Sequence, residues 1–494
     1  MKKVYYYTIN LLLFIFLLTD FAFPQHILRK EIPAPQNVDL FRLQNCNNHG
    51  FLLIFPTPNF INENYQVWKF YQIDTAFNER VNKKVHIPAG LDLQVTNQNR
   101  NQTTLVFKQK KQSSHNFIIV KWDNLNGSYD TLSFTGPKKS KPYKLISNED
   151  TGIILTENSN HYNHILYYDF KNREIKKYNI SIRDINLCVP DIILNPEDNT
   201  YTAIVQEFNG KRWYSNHLIE FNPTSDFKEV QFISEPLNRL NFPLNMKLHK
   251  LPNQTYCISG LYGDVRARHR TAKKIKSLKA DGVYFFKINN EKQNSRFYSF
   301  KQRKSKKKNK HFKQKSINHI LNHSYIKNNH LFLFTESYYP QYKTITRMDY
   351  DYFGRLQPRT ENIFEGYRFI QGNKFTFDTN GQLEYVAKID LYNILNQELY
   401  SHICHYESPE DETMAYMHES SIASCIYNKG EAIFPIAYDP LQTGNKGDII
   451  TNQEKLKIEN WYENNFLVYG YQNIQNETNS ASRLVFFVSK VELK

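Results

Sequence analysis

The sequence predicts an all-β protein built as a β-propeller, and three observations carry this. Short β-branched and aromatic runs recur from residue 50 onward between Asn, Asp, Gly and Pro turns. Amphipathic helical periodicity is nearly absent. A strand motif returns at a near-constant interval, the signature of a repeat architecture.

The strand runs include Phe51–Phe55, Phe117–Trp122, Gly282–Ile288, Gln382–Ile389 and Leu484–Val488. The motif is three apolar residues, then Thr or Gln, then Glu. It occurs at Ile153–Glu157, Ala203–Glu207 and Phe332–Glu336, and Leu105–Gln109 and Tyr256–Gly260 fall close to the same frame. The fifth residues lie at 109, 157, 207, 260 and 336, so the gaps are 48, 50, 53 and 76. A period of about 50 residues holding several strands is that of a propeller blade. The chain of 494 residues then allows about seven blades, with six or eight also in range. Tandem β-sandwiches are the competing architecture, and the near-constant period speaks against them. Aromatics at 15%, with 34 Tyr and 35 Phe, exclude a disordered chain, because that much apolar surface offsets the entropy of ordering it.

The N-terminus reads as an export signal over residues 1–25, leaving 26–494 as the propeller domain. Lys2 and Lys3 precede the apolar run Leu11–Leu18, and a more polar stretch follows to Gln25. That run is too short to span a bilayer core of about 30 Å, which favours a cleaved signal peptide. No small-x-small cleavage site is visible, so an uncleaved anchor is the competing reading. No second long apolar stretch follows. The five cysteines (Cys46, Cys188, Cys257, Cys404, Cys425) have no regular spacing, and no disulfide framework is indicated. If one pair is oxidised, Cys404 and Cys425 are nearest in sequence.

Charge is concentrated in the one stretched repeat. The formal net charge is +15, yet Asp264–Lys315 alone holds 19 Lys+Arg against three acids, a local balance of +16. The remainder has 44 basic and 45 acidic residues, a balance of −1. This basic insertion, 264–315, includes Arg266, Arg268, Arg270, Lys301, Arg303, Lys304, Lys306, Lys307, Lys308 and Lys310. Such a run has the chemistry to hold a polyanion through counterion release, and equally that of a solvated loop between blades. Interleaved aromatics are few, so nucleic-acid stacking is not indicated.

The same region carries a resemblance. Ser259–Asp264, then Ala280–Glu291, a Lys-rich stretch, and His330–Tyr342 are similar to a group of uncharacterised exported β-propeller-like proteins of Bacteroidota. Gly381–Ile389 resembles a further strand of that group, with Tyr385 where those proteins have Trp. The resemblance covers roughly residues 255–390. It implies a propeller fold and export, and it implies no reaction.

Among candidate site residues, Glu157, Glu207 and Glu336 come first. Carboxylates repeated around an axis have the chemistry to bind a cation or sugar hydroxyls, or to serve as a general acid and base if two are close. A repeated Glu equally marks a place where a carboxylate bonds a neighbouring turn. His402, Cys404, His405, His418 and Cys425 are zinc-type residues at spacings that match no closed site, so no metal is read. His161 and His164 read as parts of a loop. No G-x-S-x-G elbow, P-loop or dinucleotide-binding glycine pattern is present, and no cofactor is implied. The expectation is therefore an exported, monomeric binding or interaction module of the periplasm or cell surface, non-enzymatic, contacting a protein or an anionic surface polymer. The alternative is a polysaccharide-acting enzyme using carboxylates on the propeller face.

Overall fold

Each marker strand is the second strand of a four-stranded antiparallel meander, which is why the motif recurs at a fixed interval. In the computed structural model these are Gln102–Gln109, Thr151–Glu157, Thr200–Asn209, Tyr256–Gly263 and His330–Tyr350. The structure describes residues 28–34, 41–99, 101–109, 116–178, 186–209, 212–223, 227–233, 241–252, 255–264, 273, 279–288, 294–300, 317–445, 447–477 and 482–492. The segment 1–25 lies outside the described residues. Among the described residues, no helix is long and apolar enough to cross a membrane.

The chain forms two compact units, 39–439 and a terminal unit made of 1–38 with 440–494. Among the described residues the larger unit contains seven successive sheets, whose first strands are Arg42–Asn45, Leu91–Gln98, Lys141–Asn148, Asn186–Asn195, Phe242–Lys250, Asn318–Lys327 and Ile403–Glu407. The strands of each sheet follow one another in sequence order, and the seventh has a short extra pairing. Meanders of this kind, repeated in series, are the blades of a β-propeller. The terminal unit, described by itself, holds an eighth sheet.

The core of the larger unit lies between successive sheets. Phe70 and Trp68 of the first meet Phe107 and Trp122 of the second, and Val106 and Phe117 of the second meet Leu145 and Ile154 of the third. Phe242 and Phe285 of the fifth pack with Leu333 and Phe377 of the sixth. Both faces of the inner strands are covered, so they read as continuous apolar runs with little alternation.

The expected basic insertion is divided by structure. Gly282–Ile288 and Asn294–Ser299 are the third and fourth strands of the fifth sheet. Arg266, Arg268, Arg270, Lys301, Arg303, Lys304, Lys306, Lys307, Lys308 and Lys310 all lie outside the described residues.

In the terminal unit, Asp448–Asn460, Asn465–Asn476 and Ser482–Glu492 form three strands, and the fourth is Leu28–Pro33 from the other end of the chain. Leu28 pairs with Lys490 and Pro33 with Val485. Charge reinforces the join. Arg29 donates to Glu31 at 2.8 Å and to Gln472 at 2.7 Å, and Arg483 donates to Glu31 at 3.1 Å and to Asp448 at 2.5 Å. The Arg483 bonds hold the Asp448 carboxyl down at about 2.

Candidate functional site

In five consecutive sheets of the larger unit, the second to the sixth, the first strand bulges at the same end. One extra residue is inserted at Gln94, at Tyr143, within Val189–Pro190, at Leu244 and within Asn322–His323. A bulge bends its strand and re-aims the side chains there. From the third sheet to the sixth, the bulged residues do so into shared space. Tyr143, Val189, Pro190, Leu244 and Asn322 all line a cavity of about 810 Å³. The wall also draws on the sixth sheet (His319, Tyr338, Tyr367), on Lys247 and on the segment Leu399–Ser401. This size suits a ligand of several rings, and the lining mixes aliphatic side chains, such as Met246, Leu261 and Leu321, with tyrosine rings and amides.

A neighbouring cavity of about 420 Å³ shares Lys247 and Asn322 with the first, and adds Lys144, Asp191, His249, His323 and Ser324. Its carboxylate is fully engaged. Asp191 is buried, pairs with Lys144, and accepts the Leu248 N–H at 2.8 Å. Lys247 differs: among the described residues no hydrogen bond or ion pair engages its ammonium. It is a half-buried cation at the wall common to both cavities.

The histidines around this wall are neutral. Burial pushes His249, His319 and His323 down to about 4. His249 Nε2 lies 3.0 Å from Ser324 Oγ and 3.1 Å from Ser259 Oγ. His319 stacks on Phe300 and bonds Ser337 at 3.0 Å, and His323 stacks on Phe334. Burial likewise raises Tyr400 to about 12 and Tyr143 well above the usual range, so both keep their phenolic protons.

The three predicted glutamates occupy equivalent places. Glu157, Glu207 and Glu336 pair with Lys141, Leu187 and Ile320 of the preceding strands, near the beginnings of those strands and therefore at the bulged end. Each is bound to its own histidine: Glu157 to His161 at 3.1 Å, Glu207 to His217 at 2.9 Å, and Glu336 to His402 at 3.0 Å. Glu207 and Glu336 are buried, and Glu157 is half-buried. Glu336 also accepts from Asn322 at 2.7 Å and from the backbone of Ile403 at 3.0 Å, so it stands behind the cavity wall and fixes it.

The zinc-type residues are dispersed into other roles. His402 serves Glu336, and His405 meets Glu412 at 3.7 Å and Tyr325 at 3.0 Å. All five cysteines are buried thiols outside any disulfide, so Cys404 and Cys425 are not joined. Among the described residues, no group of three metal-ligating side chains converges.

Lys247 and the bulged residues were not among the sequence candidates. No side-chain chemistry common to them marks the bulges, which fall at Gln94, Tyr143, Val189–Pro190, Leu244 and Asn322–His323.

No protein-family model matches the chain, and no curated protein matches it. Several solved structures are similar at low identity. The polysaccharide lyase Uly1 is 9% identical with a TM-score of 0.39, over 94% of this chain and 99% of that one. The WD40 domain of SCAP from fission yeast is 8% identical with a TM-score of 0.42, over 94% and 98%. The periplasmic gluconolactonase PpgL of Pseudomonas aeruginosa is 10% identical with a TM-score of 0.40, over 82% and 97%. The fold assignment made above rests on the order of the chain's own sheets.

Proposed function

We propose that this chain is an exported, non-enzymatic binding module whose larger unit recognises an anionic saccharide at the bulged end of its sheets. The observation that carries the reading is Lys247. Among the described residues it is an unpaired ammonium, at the wall of a roomy cavity of mixed apolar, tyrosine and amide lining, where the nearby carboxylate is already neutralised. A cation held in partly desolvated surroundings attracts a ligand carboxylate or sulfate more strongly than it would in water.

Four strand ends lie on the bulged side: Gly263, Gly282 and Ser299, as their pairings show, and Asn318 at the start of the next sheet. The covalent links that leave these strand ends hold the Lys- and Arg-rich residues 265–278 and 301–316. Long-range attraction of a polyanion, including the contacts proposed for Arg266, Arg268, Arg270 and Lys301–Lys310, follows from that charge. The enzymatic alternative has less support. Asp191 and the three glutamates each hold a structural partner, whereas general acid–base chemistry needs a carboxylate presented to the substrate.

Retention on heparin and alginate columns at low salt tests the reading, comparing the wild type with Lys247→Gln and with a deletion of Lys301–Lys315. Weaker retention of both variants supports it, and wild-type flow-through on both columns refutes it. Hydrolysis of a glycan by the wild type, lost in Glu157→Gln, Glu207→Gln or Glu336→Gln, establishes the enzyme instead. Export is tested by fractionating cells that express the full chain.

A further inference from the structure

The second and third strands of the sixth sheet run far past their neighbours. His330–Tyr350 has 21 residues and Leu356–Phe377 has 22. The first strand of that sheet stops pairing at Tyr338, and the fourth stops at Tyr367. Beyond those points residues 339–366 form a two-stranded arm, which leaves the sheet at the end that bears the large cavity. Its base is the cavity wall, since Tyr338 and Tyr367 both line the space.

The two faces of the arm differ in kind. One face carries the cross-strand pairs Tyr342 with Phe364, Thr344 with Asn362, Thr346 with Thr360, Met348 with Pro358, and Tyr350 with Leu356. No charged residue occurs in that series. The opposite face carries Lys343, Glu361, Arg347, Arg359 and Asp349. The uncharged face is open to solvent, with Tyr342 at 57%, Met348 at 59% and Tyr350 at 71% exposure. An exposed, uncharged face bearing Tyr342, Phe364, Met348, Tyr350 and Leu356 marks a binding surface.

The rings are also continuous with the cavity. Tyr338 meets Tyr367 at 5.4 Å, Tyr367 meets Phe364 at 5.0 Å, and Phe364 meets Tyr342 at 5.7 Å between centroids. All three contacts are edge-to-face, so successive rings turn against one another up the arm. Between the aromatic pairs and the apolar tip lie two rows of hydroxyl and amide groups, with Thr344 donating to Asn362 at 2.8 Å. A protein seam would favour unbroken apolar packing. Rings at the base and apolar groups at the tip, parted by neutral hydrogen-bonding rows, instead match the mixed C–H and hydroxyl surfaces of a sugar chain.

We infer that the uncharged face of the arm is a track for an extended saccharide chain, continuing the cavity at its base. This rests on the binding function proposed above and specifies its ligand as a polymer: one part of the chain meets Lys247, and the following units lie along Tyr367, Phe364 and Tyr342. Because the track itself is neutral, it contributes affinity in proportion to chain length and independently of salt.

Calorimetric titration of the full-length protein with polymeric alginate and with its disaccharide separates the two claims. The Tyr342→Ala/Phe364→Ala variant is expected to lose about tenfold or more in affinity for the polymer, equivalent to about 1.4 kcal/mol, and to keep its disaccharide affinity. Lys247→Gln is expected to weaken both. These rings are exposed, and an unchanged melting temperature verifies that the double variant is folded. Equal polymer binding by the double variant and the wild type overturns the track while leaving the cavity reading intact. A protein captured by the wild-type arm but lost in the double variant, with polymer affinity unchanged, overturns it likewise. Failure of the wild type to bind alginate in either form, or heparin, removes the binding function and the track together.

Discussion

Glu336 and His402 are bonded twice. One carboxylate oxygen accepts the His402 backbone N–H at 2.7 Å, and the other lies 3.0 Å from its Nδ1. Glu336 belongs to the second strand of the sixth sheet, and His402 immediately precedes the first strand of the seventh, so a fully buried carboxylate ties consecutive sheets and supports the cavity wall through Asn322. Removing the charge leaves several donors with a weaker acceptor. Glu336→Gln is expected to destabilise the protein by about 2–4 kcal/mol, as read from urea unfolding. A loss below about 0.5 kcal/mol, the scale of a surface substitution, contradicts this role.

Acid should weaken the fold before the ordinary carboxylates titrate. His249, His319 and His323 are held near 4 in the folded protein against 6.5 when exposed. Between these values the unfolded chain binds more protons than the folded one, so stability falls as pH drops from about 6.5 toward 4. Urea midpoints across that window check the slope. Replacing His249 with Asn or His323 with Gln should flatten it, and an unchanged slope in both variants contradicts the assignment.

Lys374 and Glu412 form a buried ion pair between the sixth and seventh sheets, and Lys374 also stands 4.2 Å over the Phe332 ring. Lys374→Met strands a buried carboxylate and is expected to cost about 3–5 kcal/mol. Pairing it with Glu412→Leu should recover most of that loss, because two apolar groups leave no charge uncompensated. A double variant no more stable than the single one refutes the pairing as the source of the effect.

The repeat was legible in the sequence because each marker strand is covered on both faces, so its apolar triplet is enforced by packing. The glutamates follow from the same regularity. In the fifth sheet the sequence frame slips: Gly260 pairs with Met246 beyond the bulge at Leu244, and Gly263, opposite Phe242, holds the place of the glutamates. The cavity was not legible. Its lining is assembled from strands far apart in sequence, and its common signal, one inserted residue per first strand, is invisible until the register is known. The arm was hidden for a different reason. Its charged face interrupts the apolar pattern, and alternation in an exposed ribbon has no core to sharpen it.

The eighth sheet is completed by the two ends of the chain, with Arg29 and Gln472 joined across 443 positions. A contact of that span forms late, because the entropy of closing so long a loop must be met before any bond is gained. Folding therefore finishes at the ends. Until Ser482–Glu492 has been made, Leu28–Pro33 has no partner strand, and Ser482–Glu492 in turn presents an open sheet edge until Leu28–Pro33 docks. Whatever precedes Leu28 is joined to the strand that performs the last step, so its bulk acts on the timing of completion.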